Sequence, residues 1–587
     1  MKTLLNKKLA IVLAALGLFT SITNAQQIPD KLKNLPAFKL RASILSSLNK
    51  PHAHILNDMR CSKNAPCLKA QTSLGGSNYD EGHYILQTRD GGFIVCGLTF
   101  SNDGDFHATD IINGDAYIAK YNKLRQLEWT KTYGGSGNDV FNNIAQTYDG
   151  GYIATGQTTS NDGDVSGNHG NNDVWLVKLS ASGKLEWQKC FGGSGDDLGE
   201  AVLQTFYGGY AVACFVNSND GNVSGNHNTD GNFDGWFFQV GPKGNLLFQH
   251  CYGGSDFDGF FAMVPSYGGS FILYGGSASN DGDVSGNHGN DDAWVVKVNA
   301  FGKILWQRAI GGSGSEETGA NEIATASDGN VVIGGGSNST DGDINASNDT
   351  SNSFITKLNA ATGAIIWSKS YAEPSLRFGS GIFATKDGGA VETGDVVTSS
   401  DFSTEDVLIS RFDKNGNEEW YKRLGGSDFD GSVNGYETFN GDLNILCQTA
   451  STDGDVKNNH GIVDEWIIKL GRCGEKDNDE LPVALSGDRA VSISKDNPIS
   501  LSNYPNPFSG STTISFSIPQ SQKISIQVFD SEGRLVKTIA NEQMQAGTHQ
   551  LIWNAADENG TAVAKGMYYL KFNAGSYAET KKLAVIR

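Results

Sequence analysis

Proline is scarce in this chain of 587 residues, 12 in all against 74 glycines. That balance excludes a proline-rich linker protein and points to tight turns, where glycine supplies backbone angles that other residues avoid. After residue 25 no apolar run is long enough to cross a bilayer as a helix. A basic surplus is missing too: 45 Lys and Arg stand against 65 Asp and Glu, a formal net charge of −20. Phosphate backbones need a basic surface, so a nucleic-acid partner is excluded. The charge fits a surface protein, or one whose carboxylates collect divalent cations. None of the eight cysteines forms a CxxC pair, which excludes the common zinc and redox motifs. There is also no G-x-S-x-G elbow, no H-E-x-x-H and no P-loop. No window sustains a 3.6-residue apolar period, so no long helix is required.

What is there begins with export. Lys2, Lys7 and Lys8 precede an apolar run over 9–20, and Thr23-Asn24-Ala25 offers small residues for cleavage before Gln26. This pattern predicts a signal peptide over 1–25, followed by an extension over 26–66. No cysteine follows the cleavage point, so no lipoprotein anchor is indicated. An exported chain permits disulfides.

The rest is a repeat. The marker Gly-Gly-Ser starts at Gly75, Gly134, Gly192, Gly253, Gly311 and Gly425, with a worn copy around Tyr371–Ser375. Seven units result. The second unit shows two strand-like runs around an Asp-Gly-Gly turn (142–160). A third run over 173–180 and a fourth after a tight turn (182–193) complete it. Four short strands per unit predict an all-β chain with a seven-bladed β-propeller over 67–473. The seventh unit ends at 464–474 without a fourth strand, and "LKAQTSLGG" (68–76) aligns on "LEWQKCFGG" (185–193). Residues 68–74 are therefore expected to close the ring and hide two sheet edges. A Cys67–Cys473 disulfide would staple that closure, and a local Cys61–Cys67 bridge is the rival.

Aromatic residues recur in register. Trp129, Trp187, Phe248, Trp306, Trp367 and Trp420 share a fourth-strand position, and Tyr117, Trp175, Trp236, Trp294, Phe354 and Trp466 a third-strand one. Regular spacing favours packing between blades over sugar-stacking platforms.

The most conspicuous repeated loop is "SNDGDVSGNHG", spelled identically at 160–170 and 279–289. It joins the second and third strands, with variants in all but the sixth unit. Asp162, Asp164 and Asp173 form D-x-D followed by an Asp after nine residues. Asp281, Asp283 and Asp292 repeat that spacing, as do Asp453, Asp455 and Asp464; Asp103, Asp105 and Asp115 are one residue longer. A glycine between two aspartates lets both carboxylates face one point, which makes these loops calcium candidates. The full EF-hand pattern is absent, and Asn and Asp also cap turns through their own backbone. Both readings stand. His169, His227, His288 and His460 share the loop as turn-packing residues or, less simply, transition-metal ligands.

After a polar linker (474–498) the composition changes. "NYPNPF" (503–508), "VFDSEGRLV" (528–536), "GTHQLIWNAADENGTAVAKGMYYLKF" and the terminal "KKLAVIR" resemble the type A C-terminal sorting domain of the type IX secretion system, over 499–587. The resemblance marks Tyr504, Pro505, Asn506, Pro507, Phe508, Lys581, Lys582 and Arg587 as sorting-signal positions. It implies a small Ig-like β-sandwich and a Bacteroidota source. It also implies Sec export, passage through an outer-membrane translocon that reads this domain, and removal by a sortase-like peptidase, with release or attachment at the cell surface. The unit ends "LSASGKLEW" (179–187) and "VNAFGKILW" (298–306) are similar to quinoprotein-type propeller repeats, which implies architecture and no organic cofactor.

Acids repeated in every blade serve the blade, whereas catalytic groups break symmetry. Departures are Glu373, Arg377, Glu392 and Asp395 in the sixth unit, Asp230 and Asp234 in the third, and "FHATDIINGD" (106–115) in the first. The expected function is a secreted or surface-attached binding or scaffold module for glycans or surface partners. The alternative is an exported polysaccharide hydrolase or lyase using a cleft on a propeller face, with no catalytic residue assignable.

Overall fold

Each unit folds for local reasons. In the second, apolar and β-branched runs make strands Asp139–Gln146, Tyr152–Thr158, Asp173–Leu179 and Leu185–Phe191. The first turn closes through Thr147 and Gly151, whose amide and carbonyl face each other (2.9 Å), with Gly150 at φ 88°. The four strands pair in chain order as one antiparallel sheet, and the second and third are buried along their whole length.

This computed structural model describes residues 61–586 apart from 63, 206, 228–230, 346–351, 372–376, 398–404, 475–499, 505–507, 509, 519–520, 531–533, 545–546, 559 and 576. The signal segment, nearly all of the extension and the linker lie outside the described residues. The chain divides into two compact units, 1–481 and 482–587. Among the described residues there is no α-helix, and no helix is long and apolar enough to cross a membrane.

The first unit is a seven-bladed propeller. Six sheets run in chain order, and the seventh joins Asp430–Glu437, Leu443–Thr449 and Asp464–Gly471 to Cys67–Leu74 from the other end of the repeat. Leu68 pairs with Leu470 and Ser73 with Trp466. First strands of successive blades touch all the way round, including blade 7 against blade 1, so they line the axis of a closed ring. In blade 5 the first strand is split into Glu316–Glu317 and Ile323–Thr325. The segment between them swings inward, and Asn321 Nδ2 donates to the His83 carbonyl of blade 1 (3.2 Å). A disulfide joins Cys67 and Cys473, Cα–Cα 5.1 Å, beside the seam. Cys61 carries a free, exposed thiol, and its backbone forms an isolated antiparallel bridge with Lys422 at the edge of blade 6.

The recurrent aromatics hold blades together. Trp175, Trp236, Trp294 and Trp466 are fully buried, and each indole N–H donates to a glutamine of the adjacent fourth strand: Gln188, Gln249, Gln307 and Gln71. Gln71 belongs to the closing strand, so the seam reproduces the contact of the other blades. Fourth-strand Trp129 lies under the next blade's last turn. There Gly183 (φ 71°) leaves no room for a Cβ, which would come 2.8 Å from the indole.

The second unit is a sandwich of two sheets. One pairs Ser500–Tyr504, Thr512–Ile518 and Gly547–Trp553. The other orders Leu535–Met544, Gln522–Phe529, Gly566–Ala574 and Tyr577–Val585. Ile514, Phe516, Ile526, Val528, Leu570, Phe572 and Leu583 form its core.

Candidate functional site

The D-G-D loops face the connectors between blades. In blade 2, Asp162 Oδ1 accepts the Ser136 amide of the Gly-Gly-Ser connector (2.7 Å), and the Asp164 amide donates to the Gly134 carbonyl (2.8 Å). Asp103, Asp281 and Asp453 accept from Ser77, Ser255 and Ser427 in the same way, each at 2.7 Å. Asp105, Asp283 and Asp455 repeat the carbonyl contact on Gly75, Gly253 and Gly425. The Ser77 amide holds the Asp103 carboxyl below its ordinary range. The third acids lie apart from this pair. Asp173, Asp292 and Asp464 accept both the amide and Nδ1 of His169, His288 and His460, and Asp115 accepts Thr109 instead. Asp234 does the same with His227. The histidines are thus turn residues in these contacts. Among the described residues no three His, Cys, Asp or Glu side chains converge as a metal site.

The symmetry-breaking acids are also engaged by protein groups. Glu392 accepts from Ser353 Oγ, and Asp395 Oδ1 accepts the amide (2.7 Å) and hydroxyl (3.1 Å) of Ser432. Arg377 opens the strand Arg377–Ala384, while Glu373 and Asp230 lie outside the described residues. Near the axis, His83 Nδ1 contacts Asn142 Oδ1 (3.0 Å), and Asn142 Nδ2 reaches Glu200 Oε1 (3.2 Å). Burial pushes the Glu200 carboxyl well up. Sequence reading missed this run because it is assembled from three different blades.

The opposite face, carrying the turns between first and second strands, breaks symmetry differently. In blades 1, 2, 5, 6 and 7 the turn acid pairs with a third-strand cation: Asp90–Lys120, Asp149–Lys178, Asp328–Lys357, Asp387–Arg411 and Asp442–Lys469, at 2.6–3.3 Å. Blade 3 exchanges both partners, with Tyr207 for the acid and Gln239 for the lysine. Blade 4 has Gly268 for the acid, and Lys297 turns instead to the Ala360 carbonyl (2.7 Å). These two adjacent blades display aromatic rings. Tyr207 is 84% exposed, Tyr267 95%, and Phe301, in the last turn of blade 4, 76%. The backbone that carries them is fixed. Gln239 Nε2 donates to the Ala300 carbonyl (3.1 Å), and His250 Nε2 lies 3.2 Å from the Phe301 carbonyl. A Cβ on Gly269, in the Tyr267 turn, would lie 3.7 Å from Ala300. Elsewhere on this face an aromatic ring lies near a cation of the preceding blade: Arg89 over Tyr148 and Lys386 over Phe439, at 5.8 and 5.4 Å. The sequence signal was an aromatic residue or the lost acid in a turn that reads Asp-Gly-Gly in blades 1, 2 and 6.

In the sandwich, Phe508 is buried against the terminal strand. Its amide donates to Ala584 O, and Ile586 N donates to its carbonyl, both at 2.9 Å. Tyr504 ends the first strand opposite Thr513. Lys581 pairs with Glu579 at 3.3 Å, and Lys582 is exposed. Pro505, Asn506, Pro507 and Arg587 lie outside the described residues.

No curated protein matches the chain in sequence. Among solved structures it resembles the WD40 domain of Neurospora crassa Pan2, at 11% identity over 72% of this chain and 99% of that one, TM-score 0.38. PorZ, a bacterial surface component of the type IX secretion system of Porphyromonas gingivalis, is 12% identical over 89% of this chain and 87% of its own, TM-score 0.24. A Dyadobacter fermentans protein of unknown function is 9% identical over 70% and 100%, TM-score 0.36. The propeller assignment rests on the strand pairing. Residues 502–586 match the secretion system C-terminal sorting domain. The chain is therefore a type IX secretion substrate, a β-propeller protein exported to the cell surface or the extracellular space by a C-terminal sorting domain.

Proposed function

We propose that the exported propeller is a glycan-binding module, and that the turn face of blades 3 and 4 is its binding surface. The observation that carries this reading is the display of Tyr207, Tyr267 and Phe301 where the turn ion pair of the other blades is missing. Large aromatic rings held this far into water leave their apolar area unburied, and such patches mark interaction sites. A planar ring stacks on the C–H face of a pyranose, while neighbouring polar groups bond its hydroxyls. His250 beside Phe301 is a neighbour of that kind. The sorting domain would bring the propeller to an outer-membrane translocon and a sortase-like peptidase, which leaves the propeller at the cell surface or free.

The test is binding of the purified full chain to immobilised surface and extracellular polysaccharides. Tyr207→Ala, Tyr267→Ala and Phe301→Ala combined should weaken binding at least about tenfold, since each lost stacking contact is worth about 1 kcal/mol. The unfolding temperature should stay where it was. Undiminished binding by the triple variant would reject this surface.

A further inference from the structure

At four junctions between blades the hydrogen bonds are at least one donor short, and at that of blades 2 and 3 two, because Asp197 Oδ1 is bare as well as Asp173 Oδ1. At the junction of blades 1 and 2, Asp139 opens the first strand of blade 2. Its Oδ1 accepts from Thr158 Oγ1, and its Oδ2 accepts the Gly135 amide and Ser160 Oγ, both at 2.7 Å. Asp115, opening the third strand of blade 1, accepts at Oδ2 from the Thr109 amide (2.5 Å) and hydroxyl (2.8 Å). Its Oδ1 has no partner, although the residue is only 1% exposed. That oxygen shares the space beside Gly134 with Asp139 Oδ2. Asp115 Oδ1 and Asp139 Oδ2 lie 2.9 and 2.6 Å from the place a Cβ would take on Gly134. Ionised carboxylates only accept, so two buried ones facing each other need a proton or cation between them.

The arrangement recurs. Asp173 Oδ1 faces Asp197 at Gly192, and Asp292 Oδ1 faces Glu316 at Gly311. At the seam Asp464 Oδ1 lies against Gly75, whose neighbour Gly76 donates to Asp80 (2.7 Å). The three aspartates' Oδ1 atoms are buried and unpartnered, while Oδ2 is filled by His169, His288 or His460. In blade 5 the same strand position is Asn352, whose amide carries its own N–H donors.

We infer that each of these four junctions binds one proton, shared between the third-strand aspartate of one blade and the first-strand acid of the next. With that proton on Asp115 Oδ1, the O–H donates to Asp139 Oδ2 and the bare oxygen is satisfied. The other titratable groups around this pair add no positive charge: Asp110 of the preceding loop, Asp164 of the D-G-D loop on Gly134 O, and Cys190 of the outer strand. Burial, with the facing carboxylate adding to it, lifts Asp139 to about 6; burial also lifts Asp197 and Asp464 to about 6 and raises Asp115, Asp173 and Asp292. A carboxyl that holds its proton more tightly folded than unfolded stabilises fully below about pH 4, and that stabilisation is lost as pH rises through about 6. For Asp139 the shift amounts to about a hundredfold in the folding equilibrium.

The experiment compares the full chain with Asp115→Asn, whose amide oxygen can accept from Thr109 while its N–H donates permanently to Asp139. Wild type should unfold at a lower temperature at pH 8 than at pH 5, and the variant should lose part of that difference by gaining stability at pH 8. Infrared spectra of wild type should show a protonated-carboxyl band at pH 5 that titrates near pH 6, weaker in the variant. This second readout holds even if the variant folds poorly. Equal wild-type unfolding temperatures at both pH values, or no such band, would overturn the inference. So would a calcium-dependent rise at pH 8 that Asp115→Asn abolishes, because a cation would then occupy the gap.

Discussion

Single residues decide how closely blades approach. Gly183 sits at φ 71° over the Trp129 indole, and Tyr133 Oη donates to its carbonyl at 2.6 Å. Alanine there meets both a left-handed backbone and a ring. Gly183→Ala is expected to lower stability by about 1–3 kcal/mol, read by denaturant unfolding. The exchange at Tyr207 and Gln239 is the converse case, a local rule given up in one blade. Restoring it with Tyr207→Asp and Gln239→Lys rebuilds an ion pair with one exposed partner. The expected stability change is small, within about 1 kcal/mol, while polysaccharide binding falls because a ring has left the surface. A binding curve and an unfolding curve of the same preparation separate these effects.

At the scale of elements, the D-G-D loop is a clasp on the connector that enters its own blade. Asp162→Ala removes the acceptor of the Ser136 amide, which lies at an exposed turn, so a loss of about 1 kcal/mol is expected in thermal unfolding. The four strands of each blade were legible because turn glycines and alternating runs are local signals. The loop was legible as a repeat but not as a clasp, since Asp162 and Ser136 lie 26 residues apart and meet only once the sheet forms. The junction acids were illegible for a stronger reason. Asp115 and Asp139 each look like the start of a strand, and they face each other only across two blades. The turn aromatics were visible as letters, but their exposure, 84% for Tyr207 and 81% for Phe439 against 38% for Tyr148, is set by how the neighbouring blade packs beside each turn.

For the whole molecule, closure is the central requirement. The strand Cys67–Leu74 supplies the outer edge of blade 7, and the disulfide ties residues 406 positions apart. Cys67→Ser should cost about 2–5 kcal/mol under oxidising conditions, with a smaller effect in reductant, where the wild type loses the same constraint. A rigid closed ring presents two different faces, one made of D-G-D loops and connectors, the other of turns bearing Tyr207, Tyr267 and Phe301. The second is the face proposed above for glycan recognition. Hydrogen–deuterium exchange of the full chain, with and without a bound surface polysaccharide, tests that placement most directly. Protection should appear at the turns around 205–209, 265–270 and 299–303. Protection concentrated instead in the loops at 160–170 and 279–289 would contradict it.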